Sequence, residues 1–406
     1  MNKIFPGLVS VLALTVISCS ANNNKPAASD TSLLPVETKK PNTDYKPAFA
    51  GQTRIAGVKT KAVYEIKILT KKLSSPWGIT TLPDGRFLIT QKGGTMRIAL
   101  QDGTLSEPIT GLPKVNDDGQ GGLLGLTLDP AFTGNRMVYW VFSDKTPEGN
   151  LTAVAKGRLS NDEKTIENSR VIYLATPAHN SSLHYGGRIL FDKTGNLFIS
   201  TGERSDLETR PQAQYLNSAL GKVIRITPEG KPAPGNPFEH TANARPELYS
   251  YGHRNVQSLA LNPVTGDLWE AEFGPRGGDE LNLIRPGKNY GWPVITYGIE
   301  YSGPKIGDDL KVNAGMEQPV YYWDLVISPS GMTFYNSNAI PEWKNNLFIS
   351  SLSGTHIDRL IIQNNKVTGE ERLLSGEGQR FRDITQGNDG ALYAITDQGR
   401  LYRIGN

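Results

Sequence analysis

Three blocks in the middle of the chain, residues 251–259, 272–282 and 288–293, combine glycine and proline with charged and amide side chains. Glycine lets the backbone approach a ligand closely, and Arg254 and Asn255 supply polar groups beside it. The Gly274-Pro275 pair leaves carbonyl oxygens available to a hard cation, because proline cannot donate to a strand ladder. The blocks therefore predict a ligand or cation site, and two tight turns with solvated charges are the alternative.

The elements that must position these residues are short strands in repeated pairs. Each repeat is an apolar strand, a turn containing Asp, Pro or Gly, and a second strand with a large apolar centre. Such small sheets bury their faces only against neighbouring sheets, so six repeats predict an all-β, six-bladed β-propeller with an axial pocket. Two β-sandwiches are the disfavoured alternative. The repeats begin at Trp77, Gly125, Gly187, Ser258, Gly331 and Asp383.

Several side chains that could bind a ligand or take part in a reaction fall at the same place in their repeats, just before or at the start of the first strand. If the first strands line the channel, these loops enter it from one face and converge on one pocket. Taken singly, each residue has a structural explanation. Alternation puts the two arginines of the sixth repeat on one side of a strand, as a double cationic clamp for a polycarboxylate. The residues are Gln120, His184, Arg254, Asn255, Arg380 and Arg382.

The order of these motifs closely resembles the soluble aldose sugar dehydrogenases that use pyrroloquinoline quinone, a family that includes the soluble glucose and sorbosone dehydrogenases. The resemblance covers about residues 66–404. It implies a six-bladed propeller that holds this tricarboxylate ortho-quinone in the axial pocket, with calcium against a quinone oxygen. It also implies oxidation of the anomeric hydroxyl of aldose sugars to lactones, with electrons passed to an acceptor in the cell envelope.

Matched motif by motif, the resemblance implies a role for each of several residues. His184 would be the general base and Glu203 the carboxylate that orients it. The carbonyls of Gly274 and Pro275 would bind the cofactor's calcium, and Glu280 with the Tyr290 carbonyl a second, structural calcium. The cofactor contacts would be Gln120, Arg254, Asn255, Tyr301, Ser351, Leu352, Ser353, Arg380 and Arg382.

Two positions depart from the family pattern. Leu183 stands directly before His184, where the soluble glucose enzymes carry an acidic residue. Ser353 stands where family members typically have a lysine that reaches the quinone. The second departure removes one cationic contact, and it is the main argument that the chain is a non-catalytic scaffold. His356 and Arg359 are the nearest cations in sequence, and distance is expected to keep them from the cofactor.

The N-terminus has the pattern of an export signal. Lys3 precedes an apolar run, residues 4–17, that is too short to span a bilayer and ends at Ser18-Cys19. The run is similar to a bacterial lipobox, in which Cys19 is lipidated, and ordinary signal cleavage is the alternative. Residues 1–19 are interpreted as a lipoprotein signal peptide, residues 20–62 as a flexible tether and residues 63–406 as the propeller. Ser20 favours the outer membrane, facing the periplasm, with membrane contact only through Cys19.

Composition narrows the function classes. The net charge is only +3, which predicts neither nucleic-acid binding nor a basic membrane surface. The single cysteine excludes an intramolecular disulfide. Three hypotheses remain: a quinone-dependent aldose dehydrogenase, a calcium-dependent propeller lactonase, and a non-catalytic sugar- or partner-binding lipoprotein. The preferred sugar, the electron acceptor and the oligomeric state stay open.

Overall fold

The computed structural model describes residues 1–2 and 34–406. Within them, six antiparallel sheets form the blades of a propeller, as the repeats predicted. Helix is limited to one turn at Phe132–Asn135 and 3-10 turns at Arg210–Gln214 and Pro341–Trp343. The strands are β1 Glu65–Thr70, β2 Pro76–Thr81, β3 Phe87–Gln91, β4 Thr95–Ala99, β5 Leu123–Leu128, β6 Met137–Thr146, β7 Gly149–Leu159, β8 Ile166–Leu174, β9 Ile189–Phe191, β10 Leu197–Ser200, β11 Lys222–Ile226, β12 Leu248–Tyr251, β13 Val256–Leu261, β14 Leu268–Glu272, β15 Asp279–Ile284, β16 Tyr321–Trp323, β17 Pro329–Phe334, β18 Leu347–Ser351, β19 Ile357–Gln363, β20 Lys366–Leu373, β21 Phe381–Gln386, β22 Leu392–Thr396 and β23 Leu401–Gly405.

The six first strands, β2, β5, β9, β13, β17 and β21, contact one another around the central channel. Blade 1 is β2 to β4, blades 2 to 5 take the next four strands each, and blade 6 is β21, β22, β23 and β1. Residues directly before a first strand therefore enter the channel from one end. The repeat pattern predicted this arrangement.

The apolar core lies at the boundaries between blades. Each boundary holds one cluster of buried side chains. Strand β6 shows the reason, because successive strand residues face opposite sides of the sheet. Tyr139 and Val141 pack toward blade 3, whereas Val138, Trp140 and Phe142 pack toward blade 1. A strand of nearly continuous apolar residues is thus buried on both faces.

The ring is closed by pairing between the two ends of the domain. Strand β1 pairs antiparallel with β23, with Glu65 opposite Gly405 and Ile66 opposite Ile404. The last blade is therefore built from both ends of the propeller sequence. This pairing holds the ring shut, because β1 cannot leave blade 6 without exposing the edge of β23.

The prediction of a flexible tether up to Ala62 is wrong for residues 34–62, which are bound to the propeller. They lie along blades 4 and 5 and bind mainly through polar contacts. The buried Gln52 donates from Nε2 to the Pro319 carbonyl at 2.9 Å, and Glu37 pairs with Arg372 at 2.9 Å. The Asn42 backbone N–H donates to Oδ1 of Asp324 at 2.9 Å. The prediction failed here because it looked for apolar periodicity, whereas the segment is held by hydrogen bonds.

The predicted signal peptide, Cys19 and the first part of the tether fall almost entirely outside the described residues. Among residues 1–2 and 34–406, no helix is long and apolar enough to cross a membrane.

Candidate active site and cation centre

His184 lies in the loop that leads into β9. Its φ of 49° is in the left-handed region, where few non-glycine residues lie, and Gly186 and Gly187 that follow also have positive φ. Its backbone N–H donates to Oε1 of Gln120 at 2.9 Å. The loops before blades 2 and 3 therefore hold each other, which is the convergence that the repeat phase predicted.

Glu203 orients the imidazole of His184. Nδ1 of His184 lies 2.6 Å from Oε1 of Glu203, and both side chains are buried. Because a carboxylate accepts, Nδ1 carries the proton and Nε2 keeps its lone pair. Burial, followed by the positive charge of Arg254, lowers the pKa of His184 to about 4. His184 is therefore neutral at pH 7, in the form that can accept a proton.

A buried arginine, Arg204, holds the His184 loop in place through stacking and hydrogen bonds. The guanidinium of Arg204 stacks on the Tyr185 ring at 3.8 Å. It also donates to the Leu183 carbonyl at 3.0 Å and to the Asn150 carbonyl at 2.9 Å. Leu183 thus contributes its backbone to this support, and its side chain is partly exposed.

A cavity of about 320 Å³ opens where these loops meet. Its lining contains cations, amide groups and two aromatic rings. Such a lining suits a flat, polyanionic ligand. The lining residues are Ser75, Pro76, Trp77, Lys92, Gly119, Gln120, Gln257, Phe273, Leu352, Arg380, Arg382 and Asp397.

The two predicted clamp arginines both line this cavity, and they share one carboxylate. Nε of Arg380 donates to Oδ2 of Asp397 at 2.9 Å. Nε of Arg382 donates to Oδ1 of the same residue at 2.8 Å. One negative charge thus offsets two positive ones, so the clamp is weaker for anions than two unpaired arginines would be.

Arg254 and Asn255 are buried and Tyr301 is exposed, and none of the three is among the residues that line this cavity. The Arg254 guanidinium lies 6.0 Å from the Tyr301 ring centre. Oδ1 of Asn255 accepts from the Gly186 N–H at 2.9 Å. Nε of Arg254 and Nδ2 of Asn255 are buried without a partner among the residues described. Buried donors left unpaired are costly, and a bound ligand would satisfy them.

Residues 351–353 separate into one lining residue and two with other contacts. Leu352 lines the cavity. Ser351 is buried and donates to the Ile327 carbonyl at 2.7 Å. Ser353 is exposed, and its hydroxyl lies 2.7 Å from the Ser328 hydroxyl.

The four residues predicted to bind calcium line one small cavity, although the sequence assigned them to two sites. The space is about 10 Å³, close to one water-sized sphere. Its lining includes Gly274, Pro275, Glu280 and Tyr290, together with Glu272, which the sequence did not predict as a ligand. The Gly274 carbonyl accepts from Nη1 of Arg254 at 2.6 Å, so a cationic group already reaches this oxygen.

Three carboxylates lie at this small cavity, on strands β14 and β15: Glu272 and the half-buried Glu280 line it, and the buried Glu270 shares Asn282 with Glu280. Nδ2 of Asn282 donates to Glu270 at 2.8 Å and to Glu280 at 3.3 Å. Burial, followed by the negative charge of Glu272, raises the pKa of both Glu270 and Glu280 well above the usual range. Oε2 of Glu270 has no hydrogen-bond partner in the part of the chain that the structure describes. Carboxylate oxygens in such surroundings favour a hard cation such as calcium.

Sequence reasoning missed several residues of the site. Glu272 directly precedes Phe273-Gly274 in the second of the three glycine-rich blocks, residues 272–282, so its position at the cation cavity had a sequence signal. Asp397 had none, because only the pairing of Phe381 with Thr396 across β21 and β22 brings it to the arginines. The other missed residues are Trp77, Lys92, Gln257 and Phe273.

Comparisons with known proteins agree with this arrangement. The family described as Glucose / Sorbosone dehydrogenase matches residues 73–403. The chain belongs to the glucose/sorbosone dehydrogenase family. It is therefore a sugar dehydrogenase, an oxidoreductase, on a six-bladed propeller.

Individual family members are similar along most of their length. The chain is 42% identical to aldose sugar dehydrogenase YliI of Escherichia coli strain K12, over 84% of this chain and 93% of that protein. A crystal structure of a glucose dehydrogenase has a TM-score of 0.81 and 44% identity, covering 84% of this chain and 99% of that one. The PQQ-bound aldose sugar dehydrogenase of Streptomyces coelicolor has a TM-score of 0.69 and 28% identity, covering 86% and 99%.

Proposed function

We propose that this glucose/sorbosone dehydrogenase oxidises the anomeric hydroxyl of aldose sugars to lactones, with pyrroloquinoline quinone as the oxidant and calcium beside it. Electrons would pass to an acceptor in the cell envelope. The observation that carries the proposal is the neutral His184, held by Glu203 next to a cation-lined cavity. Similarity to a PQQ-bound aldose sugar dehydrogenase supports the choice of oxidant and substrate.

The residues of the cavity fit this cofactor. A flat tricarboxylate needs cations and aromatic surface, and Arg380, Arg382, Trp77 and Phe273 line the wall. The unpaired donors of Arg254 and Asn255 would find acceptors on its oxygens. When bound, the quinone would accept a hydride from the sugar, with calcium polarising it as a Lewis acid.

The protein's own groups would handle the proton. Nε2 of His184 takes the proton of the anomeric hydroxyl, because Nδ1 already donates to Glu203. The Glu203 carboxylate then stabilises the imidazolium that forms. Gln120 holds the backbone of the base through its amide oxygen. Each role depends on the loops before blades 2 and 3 staying together.

The lactonase alternative needs free carboxylates along the channel. The carboxylates that line the two larger axial cavities are paired instead, Asp397 with Arg380 and Arg382, and Asp383 with Arg188 at 2.7 Å. The glutamate cluster lies at the separate small cavity. Ser353 remains the argument for a non-catalytic sugar-binding scaffold. Dye-coupled assays of the purified apoprotein with several aldoses test the choice. Activity is expected only with both quinone and calcium present, and sugar binding without dye reduction would favour the scaffold.

Removal of calcium is expected to lower the melting temperature of the protein even without quinone. Glu270 and Glu272 are buried, and Glu280 lies opposite Glu272 on the neighbouring strand; a cation that binds there only in the native state stabilises that state by mass action. Saturation at 100 times the Kd adds about 2.7 kcal/mol, so the expected loss in chelator is at least about 3 °C.

Calorimetric melting with calcium and with chelator checks this expectation. Glu280→Gln should melt alike in both buffers, whereas the exposed control Glu107→Gln should keep the full difference. Identical melting of the unaltered protein in calcium and chelator would remove calcium from the role given to this cavity.

We further propose that the chain is anchored to the outer membrane through lipid on Cys19, facing the periplasm. The lipobox-like pattern before Cys19 supports the proposal, because acyl chains hold a protein by burial of each methylene. Cys19→Ala is expected to move the protein from the membrane to the soluble envelope fraction. Sedimentation of the variant with membranes would contradict the anchor.

A further inference from the structure

Three cationic side chains line the cavity, and they differ in whether a carboxylate is paired with them. Arg380 and Arg382 both pair with Asp397, at 2.9 and 2.8 Å. Their two positive charges are therefore offset by one negative charge at the same wall. Lys92 is the third cation in the lining.

The ammonium of Lys92 has a neutral partner. Nζ donates to the Gly119 carbonyl at 2.5 Å, directly beside Gln120. Among residues 34–406, no carboxylate forms an ion pair with it. The side chain is half-buried.

The backbone of Lys92 is fixed on both sides. Its N–H donates to the Ser75 carbonyl at 3.0 Å, and its carbonyl accepts from the Leu123 N–H at 2.9 Å. The first bond lies within blade 1, and the second joins the turn between β3 and β4 to the start of blade 2. The backbone that carries the ammonium is thus fixed before a ligand binds, so binding would order only the side chain.

The other cations near Ser353 cannot serve the cavity. Nδ1 of His356 lies 2.8 Å from the Gly354 carbonyl, and this side chain is buried. Arg359 pairs with Glu371 at 2.8 Å. Neither residue lines the cavity.

We infer that Lys92 binds an anionic oxygen of the cofactor and supplies the positive charge that Ser353 does not. The inference rests on the proposed function, since it assumes a polycarboxylate quinone in this cavity. Lys92 exchanges a neutral carbonyl for a carboxylate, and a charge-assisted hydrogen bond is stronger than a neutral one. Loss of the ammonium is expected to weaken quinone binding about 10- to 100-fold.

Calorimetric titration with quinone at saturating calcium tests the inference by affinity alone. Lys92→Gln is expected to raise the Kd about 10- to 100-fold, whereas Lys92→Arg should stay within about threefold of the starting value. The control is Lys193→Gln, in the exposed turn between β9 and β10, which should bind unchanged. Equal melting temperatures of the variants would show that Lys92→Gln does not act by unfolding.

A double variant moves the positive charge from position 92 to position 353, where the chain departs from the family pattern. Ser353→Lys in the Lys92→Gln protein is expected to recover at least part of the lost affinity, and recovery supports the inference. Binding by Lys92→Gln as tight as by the unaltered protein would overturn the inference and leave the proposed function standing. No quinone binding by the unaltered protein would overturn the proposed function and this inference with it.

Discussion

His184→Asn is expected to lower turnover about 10²- to 10⁴-fold, because the amide cannot take the proton of the sugar hydroxyl. Asparagine is the suitable replacement, since His184 has φ 49° and asparagine tolerates the left-handed region better than alanine. Quinone affinity should change little, because the cations of the cavity are untouched.

The measurement is dye-coupled turnover with an aldose, together with calorimetric quinone affinity. His240→Ala, at an exposed position, is the control for loss of a histidine and should keep full turnover. Near-normal turnover by His184→Asn would show that the proton is accepted elsewhere. Lost quinone binding in the same variant would show that His184 holds the cofactor rather than the proton.

Arg188→Met is expected to cost about 3 to 5 kcal/mol of stability, the cost of leaving one partner of a buried ion pair uncompensated. Arg188 lies at the centre of the channel, with its guanidinium 4.2 Å from the Trp77 ring. It binds Asp383 at 2.7 Å, the Gln257 carbonyl at 2.6 Å and the Ser330 hydroxyl at 3.3 Å. One side chain on blade 3 therefore contacts blades 1, 4, 5 and 6.

Urea unfolding of the variants measures the loss. The double variant Arg188→Met/Asp383→Leu should recover much of it, because no unpaired charge remains buried. Arg158→Met is the matched control, since its pair with Glu167 is largely exposed and is expected to contribute under about 1 kcal/mol. A cost for Arg188→Met as small as for Arg158→Met would contradict the central role of this residue.

The sequence predicted the inner strands well and the outer connections poorly. A first strand of a blade is marked by its own apolar run and turn, so Trp77 and Gly187 locate β2 and β9. The pairing of β1 with β23 joins residues that are far apart in the chain, and no local pattern reports it. Arg188 was seen only as part of a strand motif, because its partners come from four other blades.

The site was predictable where its residues sit inside the ordered motifs. The pairing of His184 with Glu203 follows from such motifs, whereas the motifs assigned Gly274 and Glu280 to two calcium sites and the structure places both at one cavity. Lys92 and Asp397 reach the cavity through chain packing alone, so the charge balance of the wall could not be predicted. The sequence predicted a double cationic clamp, and the structure gives its two arginines a common carboxylate.

The absorption spectrum of the quinone on the purified protein distinguishes a quinone-dependent sugar dehydrogenase from a binding scaffold. The apoprotein is loaded with quinone and calcium without oxygen, and an aldose is then added. We expect the bound quinone to become reduced in proportion to the sugar, and His184→Asn protein loaded in the same way to reduce it far more slowly. A bound quinone that stays oxidised with every aldose tried would rule out the proposed activity.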